Sequence, residues 1–447
     1  MRTLSPVTQA DAYSALRNAG AGDTVKLGNI AMDSLTGGTA IAPGVTIEGG
    51  QFTRINGGWN KVKFLGPTLR PNGIGFNTTA IILHGDDCII QGLDLDCRDG
   101  ALWTVRDWRD RSTGGVMFYG HGCQLIGGAM YGVRTGFVAQ HSSTGARVEG
   151  LRIKGISGDA FRPNGNGTRI ALCDVTDTWA VDGNHDDMVQ AFALDPATGR
   201  PTKSMAHSVD DVQIVGNEFY SCDDPANEIW SRTAEPGPIN PDAPPLISAG
   251  QGIWMGDGAP QNWTVDGNLL VLTPWKHGIS LGGAIGCRVT NNRVIDGNPR
   301  YRGEGLRIFV RAGNGNQVVG NEAPSVPKYQ AHNLEILPAD YANHYMDPAA
   351  FDFRPKGSGP KPVPVPPAPA PVPVPPVPTP SPAPIPTPEP LHVVEPEQPA
   401  EEPQEPFVLG PDPAISKPIE PHETEIAQLR RELRQLTGRV AALENKL

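Results

Sequence analysis

The stretch Ala146–Phe192 shows the repeating unit of the chain twice in succession. Its first pass reads Ala146-Arg-Val148-Glu-Gly150-Leu-Arg-Ile153, then Gly158-Asp159-Ala160-Phe161-Arg162. The second reads Thr168-Arg-Ile170-Ala-Leu-Cys173-Asp-Val175, then His185-Asp186-Asp187-Met188-Val189-Gln190. Apolar residues recur with a period of two in each pass, which marks strands rather than helices. The unit is therefore a strand, a turn and a second short strand.

Outward from this stretch the pattern apolar-x-Gly-x-x-apolar continues. It runs through Ile47–Phe52, Phe64–Leu69, Ile90–Leu95 and Leu125–Met130 on one side. On the other it runs through Ile214–Phe219, Val265–Leu270, Val289–Val294 and Val318–Ala323. Successive units mostly begin about 22–29 residues apart, or near twice that, which is the range of strand solenoids. Asn217, Asn268, Asn292 and Asn321 share one position in their units, where stacked side chains would form a hydrogen-bonded ladder. Cys88, Cys123 and Cys287 share another, as small thiols filling matching holes rather than a metal or redox site.

These repeats resemble the right-handed parallel β-helix of the pectin-lyase-like superfamily over about residues 20–330. The expected class is all-β. Its domains are an N-terminal cap at 1–22, a right-handed parallel β-helix solenoid at 23–345, a Pro-rich extended linker at 346–423 and a coiled coil at 424–447. The cap is a helix over residues 7–20 with Ala12, Leu16 and Ala19 on one face; it closes the open end of the stack. Lys361–Pro390 is nearly alternate proline and reads as polyproline II. Ile426, Leu429, Leu433, Leu436, Val440, Leu443 and Leu447 follow heptad spacing, and Arg439–Glu444 fits a parallel homotrimer.

Long connections at Arg98–Gly114, Thr178–Asp186 and Ser221–Gln251 leave the coil at the same turn, and Ala193–Val209 leaves after the second strand. Stacking sets them side by side as walls of a groove floored by second strands. In that groove Asp159 is expected over Asp187, and Arg162 over Gln190, ~4.8 Å apart. Alternation read from Ala160 and Met188 turns the two carboxylates outward and Arg162 and Gln190 inward. Outward carboxylates at that spacing suit a retaining glycosidase. They equally suit a Ca²⁺ site gripping an acidic sugar. His185 would be the general base and Asp186 its orienting partner. The plainer reading is that Asp opens the turn, as Gly does in other units. Trp103, Trp108, Trp230, Trp254, Trp263 and Trp275 lie on or near the loops, and Trp108, Trp230 and Trp254 with Gln190 are the expected sugar contacts.

A second group, Asp86-Asp87-Cys88, Gly120-His121-Gly122 and Arg152-Ile153-Lys154, resembles polygalacturonase-type glycoside hydrolases, although that family's preceding Asn-Thr-Asp segment is missing.

A net charge of −11 argues against nucleic acid as a partner, and no apolar run reaches the ~18 residues of a membrane span. The N-terminus lacks the apolar run of a signal peptide. β-Helix, spacer and trimerising coil together resemble phage tailspikes and fibres, without their usual N-terminal virion anchor. That resemblance implies a virion or extracellular location, a bacterial surface polysaccharide as partner, contacts with other virion proteins, and polysaccharide lyase or hydrolase activity. A fibre that binds a receptor or is purely structural is the alternative.

Overall fold

The computed structural model describes residues 1–346, apart from 72–74, 76–77, 99–102, 183–185, 203, 205, 223–239, 244, 248–250, 273–277, 297–307, 311–314 and 325–341. The chain divides into two units, Met1–Ala368 and Pro369–Leu447. The second unit, and with it the linker and coiled-coil expectations, lies outside the described residues.

Coils such as that of Arg147–Glu149, Arg152–Ile156 and Phe161–Pro163 carry three strands rather than two. The Gly of the repeat divides what the alternation predicts as one strand, because it turns the chain through the left-handed region, as at Gly150, Gly216 and Gly267 (φ 64–66°). Only a residue without Cβ enters that region without penalty, and Asn does so at modest cost. Asn291 takes the same corner at φ 55°, and so does Leu172. The strands before the corner form column one, for example Arg147–Glu149 on Arg169–Ala171 on Gln213–Val215. Those after it form column two, for example Arg152–Ile156 on Asp174–Ala180 on Glu218–Tyr220. Column three runs Gly114–Phe118, Phe137–Ala139, Phe161–Pro163, Val189–Asp195, Ile253–Asp257 and Ile279–Leu281, all parallel. Together they fit a right-handed β-helix solenoid closed by an N-terminal helix.

That helix, Gln9–Asn18, is capped by Thr8 and buries Ala12 and Leu16 against the first coil. The interior is filled by one inward residue per strand, such as Ile47, Val148, Ile170, Ile214, Phe161 and Ile279, each fully closed to solvent. Burial of one such side chain contributes ~1.5–3 kcal/mol, so each coil secures itself against its neighbours rather than against a distant core.

The asparagine ladder forms as expected. Asn217 Nδ2 donates to Asn268 Oδ1 at 2.8 Å, Asn268 to Asn292 at 2.8 Å, and Asn292 to Asn321 at 2.9 Å. Each Oδ1 also accepts a backbone N–H of the preceding coil, as Asn268 does from Asn217 at 3.0 Å. All four are buried, and the left-handed corner is the residue before each, not the Asn itself.

The expected wall of insertions also forms. A short helix, Val105–Arg111, with a Thr104–Asp107 capping box, donates backbone N–H groups from Val105 and Arg106 to the carbonyls of Ala243 and Pro241. Arg109 Nε reaches the Val181 carbonyl at 2.6 Å. Three different long connections are thereby tied into one wall beside column three. On its far side, Val189–Asp195 folds back on Arg200–Thr202 as a hairpin.

Candidate functional site

Column three presents its outer face between that wall and that hairpin. Gly136 pairs through its backbone with Asp159, Ala160 with Asp187, and Met188 with Gln251. Asp159 and Asp187 therefore stand one position earlier than the corner glycines with which the sequence pattern aligns them. A one-residue slip exchanges the two faces of a strand. Phe161 and Val189 point inward, while Arg162, Gln190 and Trp254 point outward. The inward Arg162 expected from alternation is thus corrected: it lies on the groove side, one residue on from the Phe161–Val189 pair.

The same slip overturns the outward carboxylates. Asp159, Asp187 and Asp186 are all buried, at 0%, 0% and 1% exposure. Asp159 Oδ1 accepts the backbone N–H of Asp187 at 3.1 Å, and Asp187 Oδ1 accepts that of Gln251 at 3.0 Å. Each carboxylate thus caps the next coil, whereas the asparagines at the other corner cap the preceding one. Asp159 Oδ2 accepts Arg162 Nε at 2.5 Å. The adjacent Asp159 charge raises the Arg162 pKa above its ordinary value against the opposing effect of burial, with Asp187 adding to the attraction. Arg162 leaves 32% of its side chain open to the groove while its partner is closed.

Along the outer face, Arg162, Gln190, Trp254 and Ser280 follow one another on successive coils, with Gln190 and Trp254 directly in register, as are Trp254 and Ser280. Trp254 lies over Gly256, where a Cβ would come within 2.3 Å of its ring, so the bare glycine lets the indole lie flat against the coil. Two residues further along each strand the face continues with Tyr119, Gln140, Asn164 and Phe192. Asn164 Oδ1 accepts the Phe192 N–H at 3.1 Å.

Sequence reasoning misses His141, which follows a strand end with no telling spacing. Its Nε2 meets the Phe192 carbonyl at 2.8 Å, and its ring packs 5.4 Å from that of Phe192. A carbonyl only accepts, so Nε2 carries the proton and Nδ1 the lone pair. Burial holds its pKa below the ordinary histidine value, with the bond to Phe192 opposing it. Nearby, His84 and Tyr119 stack at 4.7 Å, Tyr119 being 37% exposed.

The other expected residues separate. Trp108 is buried, packed edge-on to Trp103 at 5.0 Å and beside Trp179 at 6.4 Å, so it clamps the wall and is not an open sugar platform. Trp263 is buried in a corner stack and donates to the Val209 carbonyl. His185, Trp230 and Trp275 lie outside the described residues. The Asp86–His121 pair does meet on adjacent coils, where Asp86 Oδ1 accepts the His121 N–H at 2.8 Å and His121 Nδ1 meets Thr144 Oγ1 at 2.8 Å. That is the turn before column one, whereas Arg152 and Lys154 stand on column two. Asp159 and Asp187 are closed to solvent, and both Asp159 oxygens already accept hydrogen bonds. Among the described residues no group of three or more His, Cys, Asp or Glu could hold a metal ion.

No protein-family model matches the chain, and no curated protein does. Among solved structures it is similar to the Dettilon tailspike protein at 14% identity, over 71% of this chain and 57% of that one, with a TM-score of 0.41. The match thus spans a little over half of the tailspike chain. A polysaccharide lyase of family PL6 from Pseudopedobacter saltans matches at 9% identity over 78% and 94% of the two chains, with a TM-score of 0.34. An alginate lyase from Paenibacillus sp. matches at 15% over 72% and 97%, with a TM-score of 0.26.

Proposed function

We propose that the chain binds a polysaccharide laid along the solenoid on the outer face of column three. The observation that carries this reading is the outward row Arg162, Gln190 and Trp254 on consecutive coils. Coil spacing is ~4.8 Å, close to the length of one sugar ring in an extended chain. An indole face stacks on a pyranose, a carboxamide reads hydroxyls, and a guanidinium pairs with a carboxylate or an acetal oxygen. Arg162 is held in place by Asp159, and Trp254 by the space above Gly256, so little ordering is needed on binding.

Binding without cleavage is the stronger form of this reading, because Asp159 and Asp187 are committed to backbone amides and are closed to solvent. A spike or fibre that engages a bacterial surface glycan is the role in which such a face, a proline spacer and a trimerising coil belong together. Alginate, polygalacturonate and dextran, run in affinity gels with the full chain, test this reading. A retarded band with at least one polymer, weakened about 10-fold or more in Trp254→Ala, is expected. No retardation by these or by bacterial surface polysaccharides removes the proposal. New reducing ends or absorbance from unsaturated products would replace binding with hydrolase or lyase action, and a gain on adding Ca²⁺ would restore the metal reading.

A further inference from the structure

The corner preceding column one stacks Val62, Cys88, Cys123 and Ala146 on four consecutive coils, each just ahead of strand residues in register. The two thiols therefore stand one coil apart, ~4.8 Å between Cα atoms, inside the 4.4–6.8 Å that a disulfide spans. Both side chains are fully buried. Each lies within electrostatic reach of the other. Cys88 Sγ also donates to the Trp59 carbonyl at 2.9 Å, and Cys123 Sγ to the Gly85 carbonyl at 3.2 Å. Those bonds hold both sulfurs in the corner with only small neighbours, Val62 and Ala146, above and below. Cys287, at the same position of a later coil, has Trp263 and Asn316 as its stacked neighbours, and Cys173 stacks between Leu151 and Asn217.

We infer that Cys88 and Cys123 are a modification site: a vicinal pair that peroxide converts to a disulfide bridging adjacent coils. Peroxide is small enough to enter through local opening of a corner, and the step balances without another reagent. Cys88 sulfur displaces water from hydrogen peroxide and becomes a sulfenic acid. Cys123 sulfur then attacks that sulfur, its proton leaves with the hydroxyl as a second water, and the S–S bond forms. Two thiols and one peroxide thus give one disulfide and two waters. The neighbouring Cys123 thiol holds the Cys88 pKa below the ordinary thiol value, while Cys88 and burial push Cys123 up. Cys173 is pushed up to about 12 by burial and has no thiol stacked against it.

The test treats the full native chain with hydrogen peroxide, blocks remaining thiols under denaturing conditions, and maps unreduced peptides by mass spectrometry. The expected product is one linked peptide pair, Cys88 with Cys123, two hydrogens lighter than its parts and separated by dithiothreitol. The other four cysteines should be recovered as blocked thiols. Cys123→Ala, which repeats the alanine of the next coil, should abolish the linked pair and leave Cys88 as a sulfenic acid trapped by dimedone. Recovery of Cys88 and Cys123 as free thiols, oxidation of Cys88 past the sulfenic stage in the native chain, or linkage of Cys88 to any other cysteine would each overturn the inference.

Discussion

At Asp159 the carboxylate holds an amide of the next coil with one oxygen and the Arg162 guanidinium with the other, out of reach of water. Removing it strands both donors. Asp159→Ala should therefore lower the unfolding free energy by ~3 kcal/mol in urea titration, whereas Asp159→Asn, which still accepts the amide, should lose less than half of that. His141 supplies a pH signature. Its pKa in the folded chain is held down by burial, below the ~6.5 of the unfolded chain. The unfolded chain then binds more protons in that window. The contribution is complete above pH ~6.5 and is lost as pH falls from the unfolded value through the lowered folded one. His141→Gln should flatten the part of the stability curve between pH 5 and 7, read as Tm against pH. Little of this was legible beforehand. Ala160-Phe161 and Met188-Val189 are each two apolar residues in a row, so alternation could not say which of each pair faces inward. In the fold both members are buried, the first in a corner and the second in the strand.

At the scale of the element, the coil was far more readable, because its punctuation is stereochemical. Glycine at the corner and asparagine one place later announce a left-handed turn and a ladder, and both are found. What the pattern could not reveal is that the corner ends one strand and begins another, since apolar residues continue on either side of it. Leu172 is the exception that measures the rule: it occupies the corner at φ 55° with a side chain that disfavours it. Leu172→Asn should raise stability by up to ~1 kcal/mol, seen as a higher Tm. Asn268→Ala should do the opposite and more strongly, by ~2–3 kcal/mol, because it leaves the buried N–H of Asn217 and the Ile214 carbonyl without partners. If Leu172→Asn instead lowers Tm, the cost of the turn is outweighed there by packing of the leucine on Gly216.

Across the whole molecule, a solenoid is only as closed as its ends. The first end is sealed by Arg2 and Gly20, which donate to the Asp23 carboxylate at 2.6 and 3.0 Å beneath the capping helix. The bond from Arg2, then those from backbone amides, hold the Asp23 pKa well below the usual carboxylate range. The stability this supplies is present above the unfolded value near pH ~4 and is lost only as pH falls through the lowered one. Asp23→Asn should remove that acid-side dependence and let amide exchange in Gln9–Asn18 speed up. The remaining question at this scale is which flank meets the ligand. Hydroxyl-radical footprinting of the full chain, with and without a saturating polysaccharide that retards it in gels, answers it directly. The account predicts protection of Arg162, Gln190, Phe192 and Trp254, with unchanged reactivity of outward column-one residues such as Gln124 and Arg147. Protection confined to column one or column two, with Trp254 as reactive as in the free chain, would contradict it.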